Sequence, residues 1–218
     1  MIRCAPLLAL ALLCSAAAQA AEGVAAHGAD GVARLTAMLE ATRSARASFT
    51  QVLVDSELRT VKESRGSFAL ARPGRFRWDY LAPHPQTIVS DGKRLWIYDA
   101  ELSQVTVKPL DSTLASSPAA LLGGSASVTE SFDATDLGDD AGLRWIELVP
   151  KVKDGEFEKV RLGLGARFVE VLELTDAFSQ TTRITFSGMR VNGPVDRKQF
   201  EFTPPPGADV IGDPGGKQ

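Results

Sequence analysis

From Phe49 onward, apolar residues recur at every second position, and tight turns separate the runs. Phe68 and Leu70 alternate with Ser67, Ala69 and Ala71, and Phe76, Trp78 and Tyr80 alternate with Arg75, Arg77 and Asp79. Val105 and Val107, then Val160, Leu162 and Leu164, then Ile184 and Phe186 repeat the pattern. A period of two puts one side of a strand on a core and the other in water, so the chain folds into a sheet with one apolar face. Pro73-Gly74, Asp91-Gly92 and Asp154-Gly155 are short turns that keep successive strands antiparallel. The pattern predicts about eleven strands, near 49–56, 58–71, 75–81, 86–90, 94–99, 103–108, 143–149, 156–163, 167–174, 180–189 and 199–203.

Helical spacing occurs in two places. From Asp30 to about Ala47, Val32, Leu35, Met38 or Leu39, and Thr42 share a side, with Asp30 placed as an N-cap. Residues 21–29, rich in Ala and Gly, read as a loose lead-in. The second place is the interruption between Leu110 and about Leu137, where Ser117-Pro118 starts a short apolar helix through Leu121 and Leu122 that Gly123-Gly124 ends. A further short helix is expected near Ser131–Leu137. The tail from Pro204 reads as an extended or frayed end.

Met1–Ala20 has the layout of a cleavable secretory signal: Arg3, an apolar run from Pro6 to Cys14, and Ala18-Gln19-Ala20 before the cut. Residues 21–218 then form a single domain starting at Ala21. Both cysteines, Cys4 and Cys14, fall in the removed segment, so the exported chain is expected to hold together through its hydrophobic core without a disulfide. A lipid-modified Cys14 is the rival reading, and Leu13 in front of it is unlike the small residue such signals carry.

With two histidines and those two cysteines, metal-site and Cys/His chemistry have almost no material to work with. His27 lies in the loose lead-in and His84 between two prolines. No phosphate-binding loop, dinucleotide fingerprint or nucleophile elbow occurs. The expectation is no catalytic residue, no metal and no cofactor. A pI near 5.5 argues against nucleic acid as a partner.

What remains is a heavy apolar load on one face: Phe68, Leu70, Phe76, Trp78, Tyr80, Trp96, Tyr98, Phe186 and Phe200 are candidates for it. So wide a sheet curls, and the helical material is a thin cover for it. Either the cover leaves a greasy cavity suited to a hydrophobic ligand or it packs down into a solid core. Composition leaves both open.

Several ordered motifs go further. Gly66-Ser67-Phe68-Ala69-Leu70-Ala71-Arg72-Pro73-Gly74-Arg75-Phe76-Arg77-Trp78-Asp79-Tyr80 leads to Ile88-Val89-Ser90-Asp91-Gly92 and Leu95-Trp96-Ile97-Tyr98-Asp99. Pro118-Ala119 then precedes Leu121-Leu122, and Phe200-Glu201-Phe202-Thr203-Pro204-Pro205 closes the chain. This resembles the periplasmic outer-membrane lipoprotein carrier family, LolA, over nearly the whole exported chain.

The resemblance implies an incomplete, unclosed antiparallel β-barrel of about eleven strands under a lid of about three short helices. It implies a monomeric periplasmic carrier, not an enzyme. Such a carrier takes acylated lipoproteins from an inner-membrane ABC-type releasing complex and hands them to an outer-membrane receptor lipoprotein. Acyl chains would lie against Phe68, Leu70, Phe76, Trp78, Tyr80, Trp96, Tyr98 and Phe186, and the lid would include Leu114, Pro118, Leu121 and Leu122. Arg72 matches the family arginine that latches the lid through backbone carbonyls. Its parity with Phe68 and Leu70 also points it inward, although a strand-end arginine facing water fits parity too. The rivals are a membrane-anchored receptor or a lipid-sensing module of the same fold, and a carboxylate-based hydrolase.

Overall fold

In a computed structural model, the described residues are 18–110, 122–123, 128–152 and 157–212, with side chains described from Asp30 onward. Helix α1 (Ala18–Ala41) comes first. The strands are β1 (Ser44–Val54), β2 (Thr60–Ala71), β3 (Arg75–Ala82), β4 (Gln86–Asp91), β5 (Arg94–Asp99) and β6 (Gln104–Pro109). A short helix α2 (Val128–Ser131) precedes β7 (Phe132–Asp140), β8 (Leu143–Pro150), β9 (Phe157–Leu164), β10 (Val169–Asp176) and β11 (Thr181–Val191). A 3-10 turn at Arg197–Phe200 and β12 (Asp209–Ile211) end the described chain.

All twelve strands form one sheet in the order β12-β6-β5-β4-β3-β2-β1-β11-β10-β9-β8-β7. Strands β12 and β7 are its two free edges, so the sheet is not closed. The pairing of β1 with β11 joins two meanders, one on each side of it, into a single surface.

Ten of the eleven expected strands are present, and the differences have local causes. The expected helix near Ser131–Leu137 is α2 followed by a strand, because period two there is disguised. Phe132 and Ala134 point inward, but the next inward residue is Asp136, and a register shift follows between Asp136 and Gly138. The expected strand at 199–203 is instead the 3-10 turn, started by Asp196, whose side chain accepts from the Lys198 N–H. The tail is not wholly frayed: β12 pairs with β6, and in parallel, the one departure from antiparallel order among the described strands.

Helix α1 neither starts at Asp30 nor reaches Ala47. Alanines carry it from Ala18, so Asp30 lies inside it and residues 21–29 are helical. Its C-terminus is closed at Ala41, where Asn192 Nδ2 donates to the Ala41 carbonyl and Thr42 Oγ1 to that of Met38. Strand β1 starts five residues before the expected position, with Ala45, Ala47 and Phe49 already alternating inward. The buried side of α1 is the expected one: Leu35, Leu39 and Thr42 are nearly inaccessible, and Val32 and Met38 pack against the core.

The helix is pinned at one point. Asp136 accepts from the Gly31 N–H, the Gly138 N–H and Arg144 Nη2 at 2.9, 2.9 and 2.7 Å. Burial alone raises a carboxyl pKa, but these hydrogen bonds and the Arg144 charge outweigh it and hold Asp136 below the usual carboxylate value. A Cβ on Gly31 would run into the Asp136 carboxylate, so the glycine is what permits the approach.

Candidate functional site

Strand parity collects the inner face. Ala45, Ala47 and Phe49 of β1, Gly66, Phe68 and Leu70 of β2, and Phe76, Trp78 and Tyr80 of β3 point the same way, joined by Ile184 and Phe186 of β11. Ring centroids of Phe49 and Trp78, and of Phe68 and Trp78, are 4.9 Å apart. Phe186 lies 5.4 Å from Phe68 and 5.8 Å from Trp78. These tilted and edge-on contacts are the arrangement aromatic quadrupoles favour. Across this surface lie Leu35 and Leu39 of α1, with Leu122, Val128 and Phe132. Burying each such side chain stabilises the fold by about 1.5–3 kcal/mol.

Six of the eight proposed acyl-contact residues, Phe68, Leu70, Phe76, Trp78, Tyr80 and Phe186, come together here. Trp96 and Tyr98 do not. On β5 it is Leu95 and Ile97 that face the main core, so Trp96 and Tyr98 take the opposite face. There they form a second cluster with Val105, Val107, Phe202, Ala208 and Val210. Their assignment to the inner face is corrected by that one-residue parity. Phe200 is also buried, in the 3-10 turn that packs on β3 and β4. Phe49 was missed as an inner-face residue because a helix was expected to run to Ala47, which hid the alternation of Ala45, Ala47 and Phe49.

The interior is closed in this form. Leu70, Phe76, Phe68 and Trp78 are 0–2% exposed, so the inner face is covered. Its polar content is small. Tyr80 donates to Gln51 Oε1 at 2.9 Å; burial pushes the Tyr80 hydroxyl up to about 12 against a smaller opposing effect of Trp78, so it stays protonated. A surface of this kind selects by apolar area rather than by directional bonds.

The closure is tied at one end of β2. Arg72 Nη2 donates to the Leu122 carbonyl at 2.6 Å, and the Gly74 N–H to the Gly123 carbonyl at 3.2 Å. Burial lowers the Arg72 pKa, as expected of a half-buried guanidinium. Leu122 is itself fully buried in the core, and a Cβ on Gly123 would press on the Phe76 ring. Ser90, also fully buried, donates to the Gly74 carbonyl and accepts from the Gly92 N–H, which steadies the turn carrying these donors. Leu114, Pro118 and Leu121 lie outside the described residues. Among the described residues no cluster of metal-ligating side chains occurs, and no helix is long and apolar enough to cross a membrane.

Comparison with known proteins bears on this geometry. The family model described as "Outer membrane lipoprotein carrier protein LolA" matches residues 40–203. A protein of Methylococcus capsulatus named outer-membrane lipoprotein carrier protein is 45% identical over 180 residues, 83% of this chain and 86% of that one. A protein of Dechloromonas aromatica with the same name is 42% identical over 185 residues, 85% of this chain and 89% of that one. Among solved structures, an uncharacterized conserved protein of Thermus thermophilus superposes with a TM-score of 0.54 at 14% identity, covering 84% of this chain and 98% of that one. At that identity the likeness speaks for the fold.

Proposed function

The chain belongs to the outer membrane lipoprotein carrier protein family, LolA, and on that premise we propose that it carries acylated lipoproteins through the periplasm on the inner face of its unclosed sheet. Cargo arrives from an inner-membrane ABC-type releasing complex and leaves to an outer-membrane receptor lipoprotein. The carrier acts as a monomer under a lid of about three short helices, for which Leu114, Pro118, Leu121 and Leu122 are the candidate residues, and needs no catalytic step.

The observation that carries the reading is the pairing of a wide aromatic surface with covering residues, Leu122 and Gly123, whose carbonyls accept from Arg72 and Gly74. Each exposed acyl methylene costs about 0.8 kcal/mol in water, so a lipoprotein crosses an aqueous space only if a protein shields its chains. Phe68, Leu70, Phe76, Trp78 and Phe186 offer that shield without directional bonds, which suits a varied cargo. The closed interior is the unloaded form. Acyl chains enter by lifting the segment around Leu122 and breaking the Arg72 and Gly74 hydrogen bonds. Part of the binding free energy is consumed by that opening, which lowers affinity and favours release.

Depletion of the protein in its host tests the role: outer-membrane lipoproteins should accumulate at the inner membrane. An unchanged distribution would overturn it. The exported protein should have the intact mass of a chain that starts at Ala21 with no acyl addition. A diacylglyceryl group on Cys14 would instead identify an anchored receptor.

A further inference from the structure

The outer face of the same sheet holds a cavity of about 430 Å³, away from the apolar interior, lined by residues of β1, β2, β3 and β11 together with Gln199. Register makes its floor regular. One row across β3, β2, β1 and β11 reads Arg77, Ala69, Arg46, Arg190; two residues along the strands, the next reads Asp79, Ser67, Ser48, Ser187.

Arg77 and Asp79 are already engaged. Arg77 Nε donates to Asp79 Oδ2 at 2.6 Å and Nη1 to the Gln199 carbonyl, while Thr87 Oγ1 donates to Asp79 Oδ1. Arg46 and Arg190 are different. They sit directly opposite each other on adjacent strands, and neither has an ion pair among the described residues. Like charges in that relation repel and work against the pairing.

A β-bulge creates the arrangement. Between the paired positions Arg46 and Ser48, β1 has one residue, whereas β11 has two, Gly188 and Met189, between Ser187 and Arg190. Gly188 has φ +63°, and a Cβ there would meet open space. Without the extra residue, the parity of Ile184 and Phe186 would aim Arg190 into the core. With it, Met189 packs on the core and Arg190 turns out into the cavity. The fold thus spends an irregularity in one of its longest strand pairings on bringing a second guanidinium beside the first.

We propose that the cavity between Arg46 and Arg190 binds a phosphate group, with Ser48, Ser67 and Ser187 as hydroxyl donors. One guanidinium fork saturates a carboxylate, which has two oxygens in a plane. Two forks and a row of hydroxyls match a tetrahedral oxyanion with three or four acceptor oxygens. Ala69, small and between two arginines in its row, leaves the space, and the volume admits a substituent on the phosphate. The phosphate comes either from a soluble ester or from an anionic phospholipid headgroup. The site lies outside the carrier surface and does not depend on its function.

The purified protein is titrated with inorganic phosphate and with glycerol phosphate, at ionic strength matched by chloride, and in parallel with acetate. Thermal midpoint and the amide resonances of Ser48, Ser67 and Ser187 are followed. Saturable shifts with both phosphates, and at least about tenfold weaker binding in the Arg46→Ala/Arg190→Ala double variant, are expected. Arg65→Ala, an exposed residue of β2 outside the cavity, should bind as the unaltered protein does. Without phosphate, Arg190→Ala alone should not lower the midpoint, since it removes a repulsion. Co-sedimentation with phosphatidylglycerol vesicles that is lost in the double variant assigns the headgroup source; soluble binding without co-sedimentation assigns the ester. Absence of saturable binding in both arms, equal response to acetate, or full binding by the double variant overturns the proposal.

Discussion

Arg72 and Asp136 are inward-directed charged groups on opposite wings of the sheet, and their partners set their roles. Arg72 donates to the Leu122 carbonyl, which belongs to a covering segment. One partly exposed charged hydrogen bond is worth about 1 kcal/mol, or about fivefold in an equilibrium. On the proposed latch, Arg72→Leu should shift the opening equilibrium by at least about that factor, increasing retention of an acylated lipoprotein and slowing its release. Unchanged loading and release, followed with fluorescent cargo, would rule out a latch. Asp136 instead ties α1, Gly138 and Arg144 together. Its carboxyl titrates below the ordinary carboxylate value in the folded chain, so its contribution is present above that value and disappears as pH falls through the depressed one. Urea unfolding should show Asp136→Asn less stable than the unaltered protein at pH 7, with the gap narrowing on acidification below the ordinary carboxylate range. A gap independent of pH would mean that the ionised carboxylate is not the source.

At the scale of single elements, local irregularities decide more than propensity does. Gly31 lets α1 approach β7, and Gly31→Ala should cost about 1–3 kcal/mol by forcing the helix off Asp136, read from the urea midpoint. Between β1 and β2, the Asp55 carboxylate accepts from the Glu57 and Arg59 N–H groups, and Leu58 is held at φ +61° with its side chain in water. A leucine in the left-handed region costs about 1 kcal/mol. Leu58→Asn should recover much of it, raising stability by up to about 1 kcal/mol without changing the fold. The Gly188 bulge and the Asp136–Gly138 shift were the hardest features to foresee. Each breaks the alternation that makes a strand readable, and the one at Gly188 turns Arg190 to the outer face.

For the molecule as a whole, each face of the sheet carries a buried apolar cluster. Helix α1, α2 and Leu122 cover the inner one. On the other, the chain after β11 crosses β3 and β4, lays Phe202 against Trp96 and Tyr98 at 5.8 and 5.9 Å, and adds β12 to the edge of β6. That edge would otherwise present unpaired backbone groups. Phe202 is only partly buried, so Phe202→Ala should cost about 1–3 kcal/mol and alter the Trp96 fluorescence while leaving the inner aromatic cluster intact. If the fluorescence is unaffected, the second cluster is not what buries Trp96.

The alternation of Phe68, Leu70, Phe76, Trp78 and Phe186 determined, by itself, that the chain is a broad sheet with one aromatic face, because a period of two is a property of the local backbone. The same alternation could not tell which face of β5 is inner, since Trp96 and Ile97 are both apolar and only the neighbouring strands choose between them. It also could not show that Arg72 finds the Leu122 carbonyl, fifty residues away, or that Arg46 meets Arg190 across β1 and β11. Those meetings are set by register and by a bulge, which depend on the packing of the whole sheet rather than on any run of neighbours in the chain.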